Sequence, residues 1–269
     1  MKISIIIPTC NRNDLLSECL QLLWKSSEAA IISNCEVLIC DDSSNNIARN
    51  LIESKFSWAK WLAGPKKGPA ANRNFGASNA LGEWLLFLDD DCLPQLGWLE
   101  TYLAAIVEKR NTNVFEGFTN ADRPQGRFDE EAPINTTGDK LWSCNFLIRK
   151  AFFYEVGTFD ETFPYAAMED TDFQIRVLKL SKVYFLIEAK VIHPWRRVMP
   201  FSTFNKHLKS HIHFSQKYKL GVGGAQRLAR VKIFVGSIFS DFNKLVGFSM
   251  KGTIFYIEKC LLNFCLIFI

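Results

Sequence analysis

Three consecutive aspartates, Asp89, Asp90 and Asp91, follow directly on the apolar run Trp84-Leu85-Leu86-Phe87-Leu88. Carboxylates this close repel and raise one another's pKa, so the cluster calls for a divalent metal, arginine partners or full exposure. A turn or helix cap explains a lone acidic triplet. Placed straight after a strand-like run, it points instead to a metal held against phosphates, in an oxygen-rich site that suits Mn2+ or Mg2+. Asp41-Asp42 end a second apolar run, either as a helix cap or as acceptors for the N–H and hydroxyl groups of a base or ribose. Arg73 is the basic residue best placed to join them, its bland role being a surface salt bridge. Glu169-Asp170 begin a helix, where acids suit the dipole; the functional alternative is a base near the metal. His193 precedes Pro194 and is either structural or a ligand. His207, His211 and His213 have no acid or cysteine set near them and read as a solvated or interfacial face.

The elements that must position these residues alternate. Ile3 to Ile7 is a strand buried on both faces, ended by Pro8-Thr9-Cys10-Asn11-Arg12. Leu15, Leu16, Cys19, Leu20 and Leu23 give the next segment a helical period. A strand over 36–40, a helix over 46–54, a strand over 58–63, a helix from Pro69 to about Leu81 and a strand over 83–88 follow. This alternation predicts an α/β fold with a mostly parallel, doubly wound sheet, in which ligands bind at the carboxyl ends of the strands. Three strands in a row deliver polar clusters to that edge. Residues 120–139 read as a long loop, 144–148 as a strand, 150–156 as a helix and 183–187 as a strand, with a separate extended piece ending at His193.

A chain of 269 residues with 48% hydrophobic residues can build one large α/β domain with an appendage. The eight cysteines contain no C-x-x-C pair and lie mostly in apolar runs, as expected of free thiols in a reducing, cytoplasmic setting. The N-terminus reads as a strand rather than a signal peptide. The overall charge of +4 conceals a division: residues 1–200 hold 22 Lys+Arg against 26 Asp+Glu, and residues 201–269 hold 10 against 2. The tail is also rich in Phe, Ile and Leu, which fits an anionic membrane surface better than nucleic acid. The apolar run at its end is too short to span a bilayer core of ~30 Å. A helical extension packed on the core or on a second subunit is the competing reading.

The order of motifs resembles glycosyltransferase family 2, the inverting nucleotide-sugar transferases of the GT-A fold. The resemblance runs from Ser4 to about Trp195, through Ser4-Ile5-Ile6-Ile7-Pro8-Thr9-Cys10-Asn11-Arg12, Cys40-Asp41-Asp42-Ser43-Ser44, Ala71-Asn72-Arg73-Asn74, Leu88-Asp89-Asp90-Asp91, Val156-Gly157-Thr158-Phe159-Asp160-Glu161 and Glu169-Asp170-x-Asp172. It implies a Rossmann-like three-layer sandwich over 1–200, with a nucleotide half (1–118) and an acceptor half (119–200), followed by the helical basic extension 201–269. It further implies that Pro8, Thr9, Asn11 and Arg12 line the donor pocket, that Asp42 and Arg73 contact the base, and that Asp89, with Asp90, faces the ribose side. Asp91 and His193 would hold Mn2+ or Mg2+, Asp170 would be the general base, and Asn145 and Glu169 would lie on the acceptor side. Asp90 departs from the family, which often has a small residue there. No Q-x-x-R-W follows Asp170, which favours addition of one or a few sugars to a glycan or lipid-linked acceptor at the inner membrane face. A sugar-1-phosphate nucleotidyltransferase is disfavoured by the absence of a Gly-rich loop after the first strand. A non-catalytic sugar-nucleotide-binding protein of the same fold is the remaining alternative.

Overall fold

The computed structural model of the chain describes residues 3–165, 167–220 and 224–269. In chain order the elements are β1 (Ile3–Thr9), α1 (Asn13–Lys25), α2 (Ala29–Ile32), β2 (Glu36–Asp41), α3 (Ile47–Lys55), β3 (Lys60–Ala63), α4 (Pro69–Asn79), β4 (Trp84–Leu88), β5 (Leu93–Pro94), α5 (Trp98–Glu108), β6 (Val114–Ala121), β7 (Glu130–Glu131), β8 (Asn145–Arg149), α6 (Lys150–Val156), α7 (Glu169–Leu180), β9 (Val183–His193), β10 (Arg196–Arg197), α8 (Phe204–Lys217), α9 (Gly224–Gly247) and α10 (Thr253–Leu266).

Two compact units result. The first comprises residues 1–122, 133–161 and 169–194, and the second 123–132, 162–168 and 195–269. The second unit thus takes in two earlier loop segments as well as the tail.

In the first unit one sheet runs in the order β3-β2-β1-β4-β8-β6-β9-β5. β1, β2, β3 and β4 are mutually parallel, while β8 and β5 run against their neighbours. The β-branched run of β1 explains its central place. Ile3, Ile5 and Ile7 pack on one face with Leu16 and Leu20 of α1 and Trp98 and Tyr102 of α5. Ile6 packs on the other with Ala77 of α4, Phe153 of α6 and Phe173 of α7. Both faces are covered, as a parallel sheet requires, and the result is the expected three-layer α/β sandwich. Each fully buried Phe or Ile contributes about 1.5–3 kcal/mol. Pro69 takes the first turn of α4, and Gly157, at φ +93°, ends α6 in the left-handed conformation.

Two differences from the sequence reading have local causes. The sequence pattern does not mark β6, because its apolar residues are broken by Glu116, Gly117 and Asn120. The two extended pieces near 183–193 are one strand, β9, whose pairing with β6 shifts register between Gly117 and Phe118. A side chain at Gly117 would place its Cβ 2.4 Å from Asn145 Nδ2 and 2.6 Å from the Ala189 carbonyl. The bulge therefore depends on glycine.

In the second unit β7 and β10 pair antiparallel, and Asp129 accepts from Arg127 Nε at 2.7 Å and from Arg197 Nε at 3.0 Å. Phe128, Leu245 and Phe255 form its small buried core. His213 meets the Thr162 hydroxyl at 3.0 Å and the edge of the Phe163 ring. Among the described residues no helix is long and apolar enough to cross a membrane.

Candidate active site at the carboxyl edge of the sheet

The site is built by the ends of β1, β2, β4 and β9 together with the first turn of α7, all within the first unit. β4 delivers the three aspartates into protein rather than into solvent. Asp90 is fully buried and accepts from Thr9 Oγ1 at 2.7 Å, and Arg12 pairs with both Asp90 and Asp91, reaching Asp91 Oδ2 at 2.8 Å. Asp89 is held by Arg73 Nη2 at 2.6 Å. Two arginines and a hydroxyl thus offset most of the repulsion that the sequence poses. Burial still pushes the Asp90 carboxyl up to about 7, against the opposing pull of Arg12 and Thr9.

Asp42 accepts from the backbone N–H groups of Lys66 and Gly68 at 2.9 and 3.2 Å. This carboxylate needs room at Gly64, where a Cβ would fall 2.2 Å from Asp42 Oδ1. Asp41 lies deeper, accepting from Ser43 N and Trp61 Nε1. Asn11, exposed and at φ +55°, donates its N–H to Ser43 Oγ and so ties the ends of β1 and β2 together. Arg73 is buried, and its Nε and Nη1 make no hydrogen bond among the described residues. Desolvation opposes its charge, but Asp89, Asp170 and Glu169 outweigh it and raise its pKa.

Asp170 stands in the first turn of α7. Its Oδ2 accepts from both the N–H and the hydroxyl of Ser143, at 3.1 and 3.0 Å, while Oδ1 is buried with no hydrogen-bond partner among the described residues. Burial raises its pKa, partly countered by Arg73 and Ser143. Glu169 beside it is pushed up to about 7 by burial and by the charge of Asp170. Asp172, the third acid of that turn, is fully buried on Arg176 at 2.7 Å and is structural.

His193 is fully buried at the end of β9. Its Nδ1 lies 2.9 Å from the Pro194 carbonyl, which can only accept, so Nδ1 carries the proton and Nε2 presents a lone pair. That lone pair faces Asp91 Oδ1 at 3.3 Å. With the ring neutral, these are two acceptors turned toward each other in a buried place, an arrangement that a cation between them would satisfy. Asp91, Cys92 and His193 put their ligand atoms within 4.8 Å of one another and are the one such cluster among the described residues. Burial raises the Cys92 thiol and keeps it protonated, so carboxylate and imidazole remain, a donor set that fits Mn2+ or Mg2+.

The structure brings Thr9, Arg12, Arg73, Asp89, Asp90, Asp91 and His193 together, with Glu169 and Asp170 in electrostatic reach of Arg73. Pro8, Thr9 and Asp90 are turned inward, where Thr9 and Asp90 satisfy each other. Asn145 also differs from the expectation of an acceptor-facing residue. Its Nδ2 donates to the carbonyls of Phe118 and Ala189, both at 3.0 Å, and its Oδ1 accepts from Trp98 Nε1 and Tyr102 OH, both at 2.9 Å. The amide is spent on the two carbonyls stranded by the β6–β9 register shift. The residue that sequence reasoning missed is Ser143, two positions earlier, which fixes Asp170. Nothing in its local pattern marks it, since its partner lies 27 residues on.

The family model described as "Glycosyl transferase family 2" matches residues 4–173. An uncharacterized glycosyltransferase of Haemophilus influenzae is 29% identical over 66% of this chain and 62% of its own. The GalNAc(5)-diNAcBac-PP-undecaprenol beta-1,3-glucosyltransferase of Campylobacter jejuni is 30% identical over 44% of this chain and 38% of its own. This chain therefore spans less than two thirds of the length of these relatives. Among solved structures, GalNAc-T7 with UDP, GalNAc and Mn2+ superposes with a TM-score of 0.63 at 17% identity, covering 80% of this chain and 48% of that one. S. aureus TarS 1-349 in complex with UDP-GlcNAc gives 0.56 at 22% identity, covering 80% and 67%. The sheet order and these neighbours make the architecture GT-A.

Proposed function

This chain belongs to glycosyltransferase family 2, and we propose that it transfers a sugar from a nucleotide-diphosphate sugar to an acceptor hydroxyl in a single inverting displacement. The observation that carries the reading is the state of Asp170, with one oxygen fixed by two bonds from Ser143 and the other left without a partner. A base needs that arrangement: an oriented carboxylate with a free lone pair and a pKa raised toward working pH.

Asp170 takes the proton of the acceptor hydroxyl at Oδ1, and the resulting alkoxide attacks the anomeric carbon as the diphosphate departs. Asp42 and Asn11, at the ends of β2 and β1, face the base, and Asp89, oriented by Arg73, faces the ribose. Asp91 and His193 would hold the divalent ion, which when bound supplies positive charge against the leaving diphosphate. Arg12, half-exposed beside Asp91, adds a second positive group at the same end. Glu169, next to the base, borders the acceptor. Solved structures of the S. aureus TarS neighbour are complexes with UDP and UDP-GlcNAc, so uridine diphosphate sugars are the first donors to try. The name of the Campylobacter relative supports a lipid-linked glycan acceptor.

Thermal unfolding against a panel of nucleotide sugars, with and without Mn2+, tests this assignment. A donor at a hundred times its Kd adds about 2.7 kcal/mol of stability. The expected result is a Tm rise for one nucleotide class that requires the metal. No rise with any donor, with or without Mn2+, contradicts the reading.

A further inference from the structure

We propose that α9 and α10 of the second unit form a membrane-docking face for anionic lipid. In α9, Leu228, Val235, Phe239, Phe242 and Val246 are all exposed, and their spacings of seven, four, three and four residues place them on one stripe. In α10, Ile254, Ile257 and Leu261 are exposed at spacings of three and four. Phe239 is 67% exposed and Ile254 59%. A soluble chain gains nothing by holding such stripes in water.

The two helices pack antiparallel along a different line. Phe234 meets Phe264 at 5.9 Å, Asn263 donates to Ser237 Oγ at 3.2 Å, Lys259 pairs with Asp241 at 3.0 Å, and Tyr256 OH reaches the Ile238 carbonyl at 3.3 Å. Counted at ~100° per residue, each exposed stripe lies roughly a third of a turn beyond this seam, in the same sense of helical winding. In an antiparallel pair, equal rotations of the same sense bring both stripes to the same side. The hairpin therefore presents one continuous apolar face.

Charge selects the occupant. Both acids of the hairpin are engaged: Asp241 with Lys259, and Glu258, buried, with the Phe201 N–H. Besides Lys259, the exposed charges of the hairpin are Arg227, Lys232, Lys244 and Lys251, all positive, and Lys232 lies beside the α9 stripe. An apolar stripe on a hairpin whose exposed charges are all cationic suits a bilayer carrying anionic lipid. Since no described helix can span a bilayer, the hairpin lies in the interface. A second copy of the chain would bring the same cations against one another.

The test is flotation of the whole protein with phosphatidylcholine vesicles, with and without phosphatidylglycerol, and without nucleotide, so that it reads the surface independently of the donor site. Binding is expected with phosphatidylglycerol and little without it. Joint replacement Phe239→Gln, Ile257→Gln and Leu261→Gln, all at exposed positions, should lower the bound fraction at least about tenfold at unchanged Tm. Lys232→Glu with Lys244→Glu and Lys251→Glu should abolish the preference for anionic vesicles. Absence of wild-type binding, or undiminished binding by the apolar variant, overturns the proposal. So does a stable dimer in sedimentation that the apolar variant dissolves while vesicle binding stays absent, which would make the face a contact between copies.

Discussion

At residues 89–91 three carboxylates share two guanidiniums, a threonine hydroxyl and an imidazole, whereas at 169–170 two carboxylates share one serine and the charge of Arg73. The first cluster is held by guanidinium, hydroxyl and imidazole contacts, yet its three carboxylates outnumber its two guanidiniums, which leaves negative charge for a metal. The second has no arginine bonded to it: Asp170 is oriented by Ser143, with its other oxygen buried and without a hydrogen-bond partner among the described residues. The difference suits two tasks, since a donor site must hold opposite charge in place while a base must be able to accept a proton. It also separates the experimental signatures of the two clusters: damage to 89–91 should appear in donor and metal binding, and damage around 169–170 in the rate of transfer and its pH dependence.

The largest effect on the donor side is expected from Asp91→Asn. Loss of a ligand charge at the metal should lower turnover by about a hundredfold and weaken metal-dependent donor binding in the same variant. Equal loss of turnover with donor and Mn2+ binding untouched would erase the distinction between the clusters. Ser143→Ala comes next. It removes one of two bonds to a charged carboxylate, worth about 1.5–3 kcal/mol, so kcat should fall on the order of tenfold with little change in donor affinity. The smallest effect is a shift in pH dependence. Asp170 must be ionised to act, so activity should rise as pH increases through the raised range of the pair. Glu169→Gln removes the neighbouring charge and should move that limb to lower pH. A limb that stays in place or moves upward would mean that the titrating group is not this pair.

The extent to which these features can be read from sequence follows from how local their causes are. β1, β2 and β4 are short apolar runs with abrupt polar ends, so both the parallel sheet and the edge holding Thr9, Asp42 and Asp89–Asp91 are legible from neighbouring residues. β6 is not, because Glu116 serves contacts made farther along the chain: buried, it accepts from Asn135, Asp139 and Lys140, and so shapes the loop after β7. Asn145 and Ser143 show the same limit in opposite directions. A polar residue beginning a buried strand invites a functional reading, yet Asn145 fills the hydrogen-bonding needs of a bulge created by two other strands. Ser143, an unmarked loop residue, orients the candidate base. Pairings across 27 to 81 residues, such as Ser143 with Asp170 and Thr9 with Asp90, exist only once the sheet has assembled. The helical extension was legible in kind from its charge and aromatic content, but its inclusion of residues 123–132 and 162–168 in one compact unit was not, since neither segment carries a pattern of its own.

Asp170→Asn tests the central claim most directly when donor affinity and transfer rate are measured on the same purified variant. The account predicts that kcat falls by about a thousandfold, within the range for a lost general base, while the donor Kd in Mn2+ stays within about twofold. Transfer at the wild-type rate would contradict it, because the proton would then leave by another group.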